Sequence, residues 1–182
     1  APTFQQAKDV IWQMLKELGH EVISAAHENT GVLTLVNGRR IYLKGSDRPD
    51  TMRGVGLAYC VIDEYADMKP MVWEQILRPA LADVKGGAMF IGTPKGRNHF
   101  WELYQFASED KDPDWIAFHF ISTDNPFLDP KEIEAARTSM SSFSFQQEFM
   151  ASFAAAGSEL FKEEWVKYSD KEPDDAQFYI AV

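Results

Sequence analysis

Apolar positions along the chain change rhythm several times, and each change predicts an element. Thr3 with Gln6 reads as a capping box, a reciprocal pair that opens a helix. Ala7, Val10, Ile11, Met14, Leu15 and Leu18 follow at helical spacing, and Gly19 closes the run. Val32 to Val36 and Arg39 to Leu43 then flank Asn37-Gly38, the pair that best suits a tight hairpin turn. A loop rich in Gly, Asp, Arg and Pro spans Gly45 to Gly56. Leu57 to Ile62 is a continuous apolar run, expected to be a central strand buried on both faces as parallel strands are. Pro70 suits the first turn of a helix whose apolar face is Val72, Trp73, Ile76, Leu77 and Leu81. Gly86-Gly87 ends that segment, and Ala88 to Ile91 reads as a second buried strand. Strand, helix and strand make a βαβ unit with an expected right-handed crossover.

The remaining pattern predicts a helix over His99 to Phe106 and a strand over Trp115 to Ile121. Asp129-Pro130 opens another helix, with Glu132 placed to complete a second capping box. Phe143 to Phe153 is expected to be helical, its aromatic stripe more suited to packing than to stacking on bases. Ser169 to Ala176 is acidic and Pro-containing, as a linker is. Gln177 to Val182 reads as the start of a strand. The fold class is therefore α/β, a mostly parallel sheet flanked by helices.

Composition narrows the function. The chain has 182 residues, with 18 Lys+Arg against 28 Asp+Glu, a formal charge of −10. A protein that coats nucleic acid through general positive charge leans the other way, so any such contact must be local or built by an assembly. The single cysteine, Cys60, lies inside an apolar run and is read as a core residue. His20, His27, His99 and His119 are scattered, without metal-ligand spacing. No run is long enough to cross a membrane, and no basic-then-apolar leader opens the chain; an intracellular location is expected.

Three segments could carry chemistry. Asp63 and Glu64 follow the apolar run Leu57 to Ile62, at the strand end where open α/β sheets bind ligands. An acid there can serve Mg²⁺, which keeps part of its water shell. A second acid can orient water for attack on a phosphoryl group. The plain alternative is two acids complementing a helix N-terminus. Gly92-Thr93-Pro94-Lys95-Gly96-Arg97 ends the neighbouring strand and brings a hydroxyl and two bases to the same edge. It could equally be a solvated Gly-Pro turn. Arg53, in the preceding loop, is of the type that stabilises phosphoryl-transfer charge in trans, though a lone loop Arg is ordinarily a surface charge.

Taken together, Arg53, then Asp63-Glu64, then Gly92-Thr93-Pro94 across one βαβ unit resembles the large terminase subunit of tailed bacteriophages, the motor that packages DNA. Residues 1–8, 46–54 and Phe145-Gln146-Gln147-Glu148-Phe149 with Phe153 are similar to further segments of that family, so the resemblance covers nearly the whole chain. It implies a P-loop NTPase fold of the RecA/ASCE type and an ATP hydrolase. Asp63 would be the Walker B acid serving Mg²⁺, Glu64 the catalytic glutamate, and Arg53 a trans-acting arginine finger. Thr93 would stand near the nucleotide, with Gly92, Thr93 and Pro94 forming the motif that couples hydrolysis to DNA movement. On the residues themselves, Lys95, Arg97 and Asn98 could touch DNA phosphates or equally form a solvated turn. Tyr65 stands where many relatives have a small residue. The resemblance further implies double-stranded DNA, the terminase small subunit, the portal protein and a ring of like subunits as partners, and a place in the host cytoplasm at the procapsid portal.

One departure stands out. No Gly-x-x-x-x-Gly-Lys-Ser/Thr occurs in the sequence, so the phosphate-gripping P-loop of the family is not present. The expected organisation is a partial ATPase domain after the P-loop over 1–168, a linker over 169–176, and over 177–182 the first strand of an RNase H-like nuclease domain. Two other readings stay open on the residues: a helicase-type translocase, and an assembly module that docks without binding nucleotide.

Overall fold

A computed structural model of the chain describes residues 1–54, 56–109 and 111–153. The expected linker over 169–176 and strand over 177–182 lie outside the described residues.

The first helix, α1, covers residues 4–18 and begins with the expected capping box. The Gln6 amide donates to Thr3 Oγ1 at 3.1 Å, while Gln6 Oε1 accepts from the Thr3 amide at 3.1 Å. Its middle turn, Lys8–Trp12, is π-helical. The wider i→i+5 turn shifts the phase of the helix, and the buried face differs from the one the spacing predicts. Ala7 and Trp12 are buried, whereas Val10, Met14 and Leu18 are exposed.

Three antiparallel strands follow: β1 (Ile23–His27), β2 (Val32–Leu35) and β3 (Arg40–Tyr42), in that spatial order. The β2–β3 hairpin turns at Asn37-Gly38 as expected, with Gly38 at φ 80°, a conformation that costs glycine little. Its inner face packs Leu33 and Leu43 against Ala7 and Trp12 of α1, a small core of its own.

The second core surrounds the βαβ unit. Strands β4 (Tyr59–Ile62) and β5 (Gly87–Phe90) pair in parallel, with Ile62 opposite Phe90. The connecting helix, α2, covers residues 70–82 and again has a π-helical middle turn, Trp73–Leu77. Val72, Ile76, Leu77 and Leu81 of its expected face are buried, and Pro70 occupies its first turn. Met52, Ile62, Tyr65 and Met68 complete this core. Each fully buried aliphatic side chain contributes about 1.5–3 kcal/mol relative to exposure, so the α2 face and Ile62 anchor β4 and fix where its C-terminal end points.

Four expectations are corrected. Strands β4 and β5 are buried on one face only: Tyr59 and Val61 are 56% and 53% exposed, and Met89 and Ile91 nearly as much. Residues 115–121 are not a strand, because their backbone meets no partner edge among the described residues and a strand exists only as part of a ladder. Helix α4 (Pro130–Ser139) is capped by Asp129, but the carboxylate accepts from Lys131 at 2.9 Å and Glu132 gives no reciprocal bond, so no capping box forms. Helix α5 (Ser142–Glu148) stops short of Phe153, the chain turning at Ala151 with φ 48°. The aromatic stripe does pack: Phe145 stacks on Phe149 at 5.2 Å, and Phe153 meets Phe100 and Tyr104. Between β5 and α4, helix α3 (His99–Ser108) is slightly longer than expected.

Candidate active site at the carboxyl edge of the parallel pair

Parallel pairing sends Asp63-Glu64 and Ile91-Gly92-Thr93 out of the same edge. The ladder continues past the strands: Ile91 donates its amide to Ile62 O at 2.9 Å, and Tyr65 donates back to Ile91 O at 3.1 Å. Between these bonds the chain turns sharply at Glu64, which sits in the left-handed region at φ 54°, ψ 48°. A non-glycine residue stays in that region only where its surroundings hold it. Gly92 lies directly against it, and a Cβ on Gly92 would approach Glu64 Cα to 3.2 Å and Tyr65 N to 3.3 Å. Thus the Gly of the second motif is needed for the acid of the first to pass.

Asp63 and Glu64 are half-buried, and neither carboxylate accepts a hydrogen bond or forms an ion pair among the described residues. The Thr93 hydroxyl is likewise without a partner, and Pro94 is buried beneath it. Two acids and a hydroxyl thus lie at one edge, with no hydrogen bond to any of the three among the described residues. No group of three or more His, Cys, Asp or Glu that could cage a metal occurs among the described residues. That donor set suits Mg²⁺, which is held by one or two carboxylates together with water and substrate phosphates rather than by an all-protein cage.

Arg53 is held within its own loop. It ends the short 3₁₀ turn Pro49–Met52, whose Met52 is anchored in the core, and its Nε donates to Asp50 Oδ1 at 3.0 Å on the surface. Lys95 and Arg97 are engaged within the molecule. Lys95 Nζ lies 2.7 Å from both oxygens of Asp67, and the Arg97 guanidinium stands 5.6 Å from the centre of the Trp101 ring. The Asp67 bond is the main cause that raises the Lys95 pKa above its usual value, against some desolvation.

The spacing did not predict the packing and hydrogen bonds around Tyr65. Its ring is buried and meets Phe90, His99 and Phe100 edge-on. His99 Nε2 donates to the Tyr65 carbonyl at 2.9 Å, so the histidine without metal-ligand spacing has a structural task. Asn98 Nδ2 donates to Ala66 O at 3.3 Å, while Asn98 Oδ1 caps α3 through the amides of Phe100 and Trp101. The signal available in the sequence was Asn98 just before an apolar helix, an N-cap position.

An α/β core with paired acids at the carboxyl end of one parallel strand and a Gly-Thr-Pro turn on its neighbour is the arrangement of P-loop-type nucleoside triphosphatases. Comparison with known proteins makes the assignment definite. Residues 2–168 match the family model described as "Terminase large subunit, T4likevirus-type, N-terminal", and the chain belongs to that family. It is 33% identical over 131 residues to the terminase large subunit of Escherichia phage T5, covering 71% of this chain and 30% of that one. It is 30% identical over 134 residues to the terminase large subunit of Thermus phage G20c, covering 65% of this chain and 27% of that one. The chain thus spans about three tenths of the length of these curated relatives. Among solved structures, the large terminase ATPase domain of Thermus phage P74-26 superposes with a TM-score of 0.69 at 25% identity, covering 84% of this chain and 74% of that one. The large terminase of another thermophilic bacteriophage, solved in complex with ADP, gives 0.62 at 23% identity, with coverages of 84% and 39%. The fold is the P-loop NTPase fold of these ATPase domains.

Proposed function

We propose that these residues form the hydrolytic edge of the ATPase motor of a terminase large subunit, which uses ATP to move double-stranded DNA. The observation that carries this reading is the parallel pairing of β4 with β5, which brings Asp63, Glu64 and Thr93 to one sheet edge. Glu64 orients the attacking water and accepts its proton as the γ-phosphate is cleaved in line. Asp63, with Thr93, would hold Mg²⁺ through its water shell; that ion, when bound, neutralises charge developing on the phosphates. Arg53 serves the site of a neighbouring subunit in a ring. Gly92, Thr93 and Pro94 carry the state of that site toward α3 and the DNA.

The 182 residues contain no P-loop sequence, and by themselves they are proposed to turn over no ATP. The terminase small subunit and the portal protein are the proposed partners of the complete subunit, and the procapsid portal in the host cytoplasm its place of work. No described helix is long and apolar enough to cross a membrane.

Glu64→Gln in the complete subunit tests the reading. Loss of a positioned general base costs about 10²–10⁴-fold, so kcat for ATP should fall by that factor while nucleotide still binds. Turnover unchanged in Glu64→Gln would remove the assignment.

A further inference from the structure

The short turn after β4 is tied to the segment after β5 by three consecutive residues. Tyr65 O accepts from His99, Ala66 O accepts from Asn98, and the Asp67 carboxylate accepts from Lys95. A fourth bond, Tyr65 N to Ile91 O, closes the same seam from the strand side. These ties begin one residue beyond Glu64, whose left-handed backbone persists only if its flanks are held. Its N-terminal flank is held by the ladder, since Ile62 O accepts from Ile91. Its C-terminal flank is held by the seam together with the buried side chains of Tyr65 and Met68.

Within the seam, Lys95–Asp67 is the member with both partners ionised. The ammonium bonds both carboxylate oxygens at 2.7 Å across 28 residues of sequence. Charge-assisted bonds are shorter and stronger than neutral ones. Yet both side chains are about two-fifths exposed, at 41% and 39%, and a pair so placed adds little to global stability. A close, doubly bonded pair of small stabilising value, attached to the turn that carries the water-orienting acid, fits a role in geometry.

We infer that Lys95 is a positioning residue for Glu64, clasping the turn Tyr65–Asp67 through Asp67 so that the Glu64 carboxylate is presented at the sheet edge. The inference rests on the reading of Glu64 given above. It also gives Lys95 an occupation other than DNA contact: with its ammonium on Asp67, the side chain is committed to the turn. The clasp gives the Gly-Thr-Pro segment a direct grip on the acid, since movement of Lys95 displaces Asp67 and with it the exit of the Glu64 turn.

The test uses the complete subunit, with single-turnover and steady-state ATP hydrolysis measured with and without DNA. Displacement of a reacting group by about 1 Å can cost 10²-fold; a turn loosened at one end should lose roughly 10-fold. Lys95→Met and Asp67→Asn should each lower kcat by about that factor in the absence of DNA, with KM for ATP and the melting temperature little changed. The exchanged pair, Lys95→Asp with Asp67→Lys, should recover most of the loss, and Lys95→Arg part of it. If Glu64→Gln abolishes turnover while both single variants keep wild-type kcat, the clasp is wrong and the assignment of Glu64 stands. If Glu64→Gln is itself silent, both fall. If Asp67→Asn keeps its turnover and instead binds DNA more tightly with a steeper salt dependence, Lys95 is a phosphate contact held back by Asp67, and the inference is overturned.

Discussion

Glu64 and Gly92 have to be considered as a pair, because one residue's backbone occupies the space a side chain on the other would need. The atoms facing Gly92 are backbone atoms of Glu64 and Tyr65, so nothing flexible can yield to an added methyl. Gly92→Ala should push the Glu64 turn away from the ladder. Overpacking of this kind costs about 1–3 kcal/mol, visible as a drop of several degrees in melting temperature, and kcat for ATP should fall with it. A variant with wild-type stability and turnover would show that the close approach carries no constraint. Tyr65, the next residue, titrates abnormally: burial, and then the charges of Glu74 and Glu102, push its phenol up to about 12. The unfolded chain releases this proton near the ordinary tyrosine value of about 10, whereas the fold retains it. Stability should therefore decline as pH rises from about 10 toward 12. Absorbance titration should show one tyrosine ionising last, and Tyr65→Phe should remove that step. If the last step survives the substitution, the buried phenol is not its source.

At the scale of elements, Asn98 serves two partners with the two ends of one amide. Its Oδ1 caps α3, and its Nδ2 holds Ala66 O. Loss of a cap costs about 1 kcal/mol. Asn98→Ala should lose the cap and the tie together, whereas Asn98→Asp should keep the cap and lose only the tie. Urea melts of the two variants separate these contributions, and equal losses would mean that the bond to Ala66 carries the whole effect. The caps at Thr3 and Asp129 were legible in the sequence, as were the hairpin at Asn37-Gly38 and the helix opened by Pro70, because turn and cap chemistry is decided by residues within a few positions. The common edge of the two motifs was legible too, since parallel strands must bring their carboxyl ends together. Long-range decisions were not. Ile23-Ser24-Ala25-Ala26-His27 becomes β1 through pairing with β2, although its own β signal is weak. Trp115 to Ile121 has strong β composition and no ladder among the described residues, because propensity describes how a residue fits a sheet and does not supply the neighbouring edge. Along α1, the π turn at Lys8–Trp12 and the bulk of Trp12 move the buried stripe away from Val10, Met14 and Leu18. Lys95 finds Asp67, and Glu64 its left-handed turn, only once β5 lies beside β4.

For the whole molecule, the decisive contest is between an open apolar face and a net negative charge. Tyr59, Val61, Met89 and Ile91 leave one face of the parallel pair about half exposed. Ile116, Phe118 and Phe120 alternate along the adjoining extended segment, each about 70% exposed, and the rings of Phe118 and Phe120 lie parallel 6.3 Å apart. Tyr59, Met89 and Ile91 line one groove of about 600 Å³ together with Ile116, Phe118 and Phe120. Among the described strands β5 pairs only with β4, and residues 116–120 make no backbone hydrogen bond with other described residues. A sheet margin with unpaired backbone and apolar side chains invites pairing with another chain. Opposing it is a formal charge of −10 per chain, which keeps copies apart at long range. The Debye length falls from about 10 Å at 0.1 M salt to about 3 Å at 1 M, while contact between apolar faces acts at touching distance and is not screened. Charge should therefore win in dilute salt and the apolar face in concentrated salt. The 182-residue chain is expected to enhance the fluorescence of an apolar dye when folded, and light scattering should show it associating more as NaCl rises. Phe118→Lys with Phe120→Lys should weaken both signals; because the two rings are so exposed, the melting temperature should move little. Association that weakens as salt rises would point to contact between charged patches instead, and a folded chain with no dye signal would mean that the face is covered.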